Sequence, residues 1–195
     1  MKFVLLALAA IVPAMAQTYT IDTAHSSAQF SVKHLMVSNV RGEFTKMTGT
    51  VNWDDANLAN TSIDATIDVN TISTREPKRD EHLRSADFFD TAKFPSMAFK
   101  STKAWKSGGK WQVAGYLTLR GVTKPVTLTL DGPTAEMKDP WGLLRRGATA
   151  TTTINRKDFG LTWNKALETG GLMVGEDIQI TLDIAATRKP VAATN

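Results

Sequence analysis

The sequence predicts an all-β protein, an antiparallel barrel of about eight strands with one short helix near residues 79–87. Three observations carry that expectation. Apolar and polar residues alternate along much of the chain after Gln17, at the period of a half-buried strand. Turn residues such as Gly108-Gly109 and Asp131-Gly132-Pro133 separate these runs at hairpin-like spacing. One candidate strand, Val40–Trp53, is long enough to favour a closed barrel, which leaves no exposed edge.

The first residues are expected to lie outside the fold. Lys2 gives a positive start, Phe3–Val12 is apolar, Pro13 breaks the run, and Ala14-Met15-Ala16 has the form of a cleavage site. This is the pattern of a secretory signal peptide over residues 1–16, cut after Ala16. The apolar run is about half the ~20 residues that a membrane span needs. Residues 17–195 then form one domain. Its 42% hydrophobic and 22% charged residues are ordinary for a globular chain, so disorder is not expected.

The chain has no cysteine, which excludes thiolate metal sites, cysteine nucleophiles and lipid attachment through cysteine. An exported domain of this length can bury enough core to do without disulfides. The net charge is +4, and many cations come as scattered pairs: Lys78-Arg79, Arg145-Arg146, Arg156-Lys157, Arg188-Lys189. A nucleic-acid surface would cluster them and interleave aromatics, so no nucleic acid is expected as a partner. Weak attraction to anionic membranes is compatible with this charge.

Tyr19–Asp22 reads as a short strand. In Ser27–His34, Ala28, Phe30, Val32 and His34 share one face. Along Val40–Trp53 the apolar parity changes: Val40, Gly42 and Phe44 are even, while Met47, Gly49, Val51 and Trp53 are odd. One extra residue in the strand would do this, so a bulge is expected near Thr45–Lys46. Ile63, Ala65, Ile67 and Val69 then alternate with polar residues. Ser96–Lys106 and Lys110–Arg120 form a hairpin around Gly108-Gly109, with Trp111, Val113, Gly115, Leu117 and Leu119 on one face. Gly121–Pro125 reads as a tight turn before the Val126, Leu128, Leu130 strand. Leu144–Ile154 and a last strand with Ile178, Ile180, Leu182 and Ile184 complete the set.

Arg79–Pro95 interrupts this pattern. Pro77 suits a first helical position, and Glu81–Ser85 reads as helix. The large apolar residues Leu83, Phe88, Phe89 and Phe94 are too few for a long core helix. A short helix ending in an aromatic plug fits better, and it must rest on something apolar to be stable. Arg156–Gly175 has no clear period, yet contains Phe159, Leu161, Trp163, Leu167, Leu172 and Met173. Such residues either cap a packed core or line the mouth of an apolar cavity. Periodicity does not separate these readings.

Signals for catalysis are weak. Asp22, His25 and Ser26 resemble a triad on paper, but no nucleophile elbow accompanies them, and a polar turn explains them. The three histidines, His25, His34 and His82, lack metal-ligand spacing. A phosphate-binding loop is absent. Asn60-Thr61-Ser62 is a glycosylation sequon, relevant only in a eukaryotic secretory route.

A longer pattern carries more weight. D-x-x-H-S-x-x-x-F-x-V-x-H runs from Asp22 to His34, then G-x-F at Gly42–Phe44 and G-T-V at Gly49–Val51. R-D-x-H-L-x-S-x-D-F-F-D with F-P follows at Arg79–Pro95. L-T-L-R-G-V-T at Leu117–Thr123, R-K-D-F-G-L at Arg156–Leu161 and V-G-x-x-I at Val174–Ile178 complete it. In this order the segments resemble the YceI-like family over nearly the whole chain after residue 16. The resemblance implies a lipocalin-like barrel in the bacterial periplasm, which binds a polyisoprenoid lipid or isoprenoid quinone without established catalytic residues. It also implies links to stress responses, a cytochrome b561-type membrane partner and a possible homodimer. No metal or other cofactor is expected.

The residues expected to meet such a ligand are Phe30, Val32 and His34 on one strand and Phe44 on the next. His82, Leu83 and Phe88 belong to the plug. Phe99, Leu117 and Leu119 lie on the central hairpin, Phe159, Leu161, Trp163 and Met173 in the apolar loop, and Ile180 on the last strand. One alternative is an enzyme acting on an isoprenoid or quinone with His34 or His82 as acid or base; another is an interaction module for a cytochrome b561-type membrane partner.

Overall fold

The computed structural model describes residues 16–57, 60–167 and 172–190. The expected signal peptide, apart from Ala16, and the tail from Val191 lie outside them. The strands join into one antiparallel sheet that closes on itself. β1 (Gln17–Ile21) and β2 (Ser27–His34) run in line, separated by a 3-10 turn at Thr23–His25. β3 (Ser38–Phe44) and β4 (Met47–Trp53) also run in line. Next come β5 (Ser62–Asp68), β6 (Ile72–Ser73), α1 (Pro77–Arg84), β7 (Ser96–Ser107), β8 (Lys110–Leu119) and β9 (Val122–Asp131). β10 (Met137–Lys138), β11 (Leu144–Asn155) and β12 (Val174–Arg188) end the series.

β12 pairs with β11 along one edge, and with β2 and then β1 along the other. Counting each interrupted strand once and setting aside the two-residue β6 and β10, the barrel has eight strands in chain order. The last strand closes against the first.

The parity change in Val40–Trp53 coincides with a change of partner. β3 pairs with β2, β4 pairs with β1, and Thr45-Lys46 lies between the two ladders. The Gly108-Gly109 hairpin is present, with both glycines at positive φ. The turn expected at Gly121–Pro125 is shorter. Arg120 (φ 50°) and Gly121 (φ 75°) make it, and β9 begins at Val122. Pro125 lies inside β9, at a level where no β11 residue is paired with it; that pairing covers only Thr129–Asp131. A proline is tolerated at such a half-free edge.

The helix begins and ends earlier than residues 79–87. Pro77 occupies its first turn and Glu76 caps it, accepting from the Lys78 N–H at 3.4 Å. Ser85 is extended and ends it. The plug that follows is a series of turns: Phe88 and Asp90 donate backbone N–H groups to the Ser85 carbonyl, and Phe94 donates to that of Asp90. Asp80 is buried and ties the helix inward, accepting from the Thr74 N–H at 2.8 Å and the Thr74 hydroxyl at 2.5 Å.

Candidate functional site: an apolar hollow along the barrel axis

A cavity of about 170 Å³ runs inside the barrel. That is more than ten times the roughly 10–15 Å³ a single buried water requires on this measure. Toward one end its wall includes Ile63, Leu130 and Ala150; toward the other it includes Val32, Leu83, Phe88, Phe89 and Leu161. Among the described residues, Thr152 and Arg156 are the polar side chains along it; Gln29 borders it through its backbone and turns its side chain outward to Ser27 and Asp183.

An eight-stranded barrel is only wide enough for its own side chains or one small ligand. Two features leave this one hollow. The wall carries small inward residues at Ala28, Ala65 and Ala150. Its aromatic rings also lie down against glycines. Phe30 is paired across the ladder with Gly42, and a Cβ on Gly42 would fall 2.5 Å from the Phe30 ring. A Cβ on Gly115 would fall 2.5 Å from the Phe99 ring. The missing side chains are where the rings sit, so the rings cover the wall instead of crossing the lumen.

Of the residues expected from the sequence, Phe30, Val32, Phe44, Leu83, Phe88, Phe99, Leu117, Leu119, Leu161 and Ile180 are on this wall. His34, His82, Phe159, Trp163 and Met173 are not. His34 ends β2 opposite Ser38 and Val174, beyond the level of Val32. The His82 ring packs edge-on to Phe88 and Trp163, each 5.0 Å away, and its Nε2 bonds Asp87 at 2.9 Å. Phe159 is 2% exposed and belongs to the packed core above the hollow. The Met173 backbone bridges the Leu35 N–H and the Lys165 carbonyl.

The helix end is shut by this aromatic plug. Phe30, Phe44 and Phe89 form a chain of rings 5.8 and 5.6 Å apart. Guanidinium groups tie the plug to backbone carbonyls. Arg120 donates to the carbonyls of Gly160 and Ala86, and Arg84 to that of Ile72 at 3.3 Å. Arg156 is 4% exposed and touches the hollow. It donates to the carbonyls of Leu161, Gly175 and Val174, and burial pushes its pKa below the usual arginine value.

The opposite end, the floor, is shut by Tyr19, Trp53 and Ala186, with Trp111 packed against them. The Trp53 and Trp111 rings are 5.2 Å apart. Around them lie ion pairs. Arg188 bonds both oxygens of Glu136, at 2.9 and 3.0 Å, and the Tyr19 hydroxyl donates to the same carboxylate. Arg146 bonds both oxygens of Asp55, at 3.2 and 2.6 Å. Arg145 bridges Asp22 at 2.6 Å and Asp139 at 3.2 Å.

The Arg145 hydrogen bond, then that of His25, holds the Asp22 carboxyl below the usual range against its partial burial. The bond from Arg146 does the same for Asp55. Burial pushes Glu136 and Asp139 upward, but hydrogen bonds outweigh it and both are held low: Tyr19 and Arg188 act on Glu136, and the Leu143 N–H and Arg145 on Asp139.

Asp22 and His25 are bonded at 2.9 Å, but the Ser26 hydroxyl donates to the Ala185 carbonyl and accepts from the Ala185 N–H. The three therefore form no relay. Among the described residues, no group of three or more His, Asp or Glu is placed to hold a metal ion.

Sequence reasoning missed Gly42, Gly115 and Arg156 as makers of the site. The signal for the glycines was present: each stands on the inward face of a strand where a large apolar residue would be expected.

A sequence profile of the YceI-like domain matches residues 19–186. A UPF0312 protein of Vibrio cholerae is 41% identical over 151 residues, covering 76% of this chain and 79% of that protein. The YCEI protein of Campylobacter jejuni superposes with a TM-score of 0.67 at 30% identity, covering 81% of this chain and 90% of that one. A polyisoprenoid binding domain from Saccharophagus degradans superposes with a TM-score of 0.63 at 15% identity, covering 90% of this chain and 99% of that one.

Proposed function

The chain belongs to the YceI-like family, and from that premise we propose that it is a periplasmic carrier of a polyisoprenoid lipid, a polyprenyl chain or an isoprenoid quinone held in the hollow and left chemically unchanged. The observation that carries this reading is the almost wholly apolar wall between an ion-paired floor and an aromatic plug. An alkyl chain placed there exchanges water for hydrocarbon at about 0.8 kcal/mol per CH₂, so one five-carbon unit nominally contributes about 3–4 kcal/mol. Several units would exceed the practical limit of affinity, so binding should rise with chain length and then flatten.

The description of the Saccharophagus domain as polyisoprenoid binding supports the ligand class. The pattern of residues 1–16 supports export to the periplasm. His34 and His82 stand off the wall, which favours holding over turnover. In this reading the cargo is passed to or from a membrane redox partner of the cytochrome b561 type.

Native mass spectrometry of protein purified from its host tests the proposal. The expected result is a lipid adduct, together with uptake of added prenyl quinone that Leu117→Phe reduces by narrowing the lumen. Protein that carries no lipid and takes up no prenyl quinone would overturn it.

A further inference from the structure

We propose that the tip of the β2–β3 hairpin, Leu35-Met36-Val37, docks on an anionic phospholipid bilayer and presents the plugged end of the hollow to the lipid; the purpose, though not the docking, rests on the carrier reading. The three residues are 39%, 59% and 81% exposed. Leu35 (φ 52°) and Met36 (φ 61°) are consecutive residues in the left-handed region, in a turn closed by the Val37 N–H donating to the His34 carbonyl at 3.2 Å. Turns of that shape favour asparagine and glycine. Here bulky apolar residues occupy a conformation that suits them poorly, with their side chains in solvent. Neither packing nor turn preference explains them.

The surroundings choose the partner. Lys33 and Arg41 are exposed on the same hairpin, opposite Asn39 and Ser31. They flank the tip with positive charge, which matches lipid phosphates. Three side chains at one turn are far less than the roughly 800 Å² per partner of a stable protein interface, but they suit shallow insertion among headgroups. Their position matters too. Val32, on the wall of the hollow, is three residues from Leu35, and the Leu35 N–H bonds the Met173 carbonyl in the loop that includes Leu161 and Trp163. The tip therefore belongs to the plug end. Trp141, 79% exposed, and Met137 lie with β10, next to the Arg145–Asp139 pair at the floor.

Flotation of the full chain with phosphatidylcholine vesicles, with and without phosphatidylglycerol, tests this. The expected result is binding that requires phosphatidylglycerol. Met36→Glu with Val37→Asp should weaken it about 10-fold or more. Lys33→Gln and Arg41→Gln should each weaken it about 5-fold, and Trp141→Ser should leave it unchanged. The Met36→Glu, Val37→Asp protein should still take up prenyl quinone from detergent solution. Vesicle binding by that variant equal to the parent's, dependence on Trp141 instead, or no binding by the parent overturns the proposal. So does a tip substitution that abolishes only self-association in sedimentation velocity, because the tip would then contact a second copy. Loss of quinone uptake by the parent, with vesicle binding intact, would instead remove the carrier reading and leave the docking.

Discussion

The two ends of this barrel are closed by different chemistry. At the floor, guanidinium groups meet carboxylates: Arg188 with Glu136, Arg146 with Asp55, Arg145 with Asp22 and Asp139. At the plug, the guanidinium groups of Arg84, Arg120 and Arg156 meet only carbonyl oxygens, and closure comes from rings and aliphatic side chains. The difference separates an ion-paired closure from a packed one. Charge pairs between strands fix strand ends to one another. On the carrier reading proposed above, the packed end is where a lipid chain's apolar contacts would replace those of the plug, once the guanidinium–carbonyl bonds that tie it are released.

The largest effect that would sharpen this comparison comes from the plug's foundation. Phe159→Ala should cost about 3–5 kcal/mol in urea denaturation, because its buried ring supports the core above the hollow. That loss should not depend on salt. A loss below about 1 kcal/mol would mean the plug does not rest there.

A smaller effect should appear at the floor. Glu136→Gln keeps the shape and removes the charge facing Tyr19 and Arg188, at about 1–3 kcal/mol near pH 7. Because the folded carboxyl is held below its usual value, its stabilisation is full above the unfolded carboxylate pKa and is lost as pH falls through the folded one. The gap between parent and variant should therefore be widest near neutrality and close below about pH 4. A gap independent of pH would break the contrast between the ends.

The smallest effect should come from Arg146→Met. Asp55 is largely exposed, so the pair should contribute under about 1 kcal/mol, and about 1 M salt should abolish it. A salt-resistant loss would assign Arg146 a packing role over the Tyr19 ring, 5.8 Å away, in place of an electrostatic one.

Much of the barrel was legible in the sequence, because alternation reports local backbone geometry. The broken parity of Val40–Trp53, the Gly108-Gly109 hairpin and Pro77 at the helix start all express local rules. The hollow was less legible, because it depends on register. Gly42 makes room only because Phe30 is its partner across the ladder, and that pairing cannot be read from either strand alone. Arg156 looked like half of a surface pair with Lys157, yet it folds inward to collect carbonyls from two later segments. His34, His82 and Trp163 belong to the expected end of the barrel but sit one layer outside the wall. Sequence distance resolves an end more readily than a layer. In the apolar loop, the two readings left open both apply: Phe159 caps the core and Leu161 faces the hollow.

β12 pairs with β11, β2 and β1, and it is the last strand among the described residues. Every other ladder among the eight strands joins strands that are neighbours in chain order, but a tube does not exist until β12 takes its place between β11 and the β1–β2 edge. The order of the strands thus sets a clock: an unfinished chain is an open curl with its greasy side bare, and the container is made in the same act that shuts it.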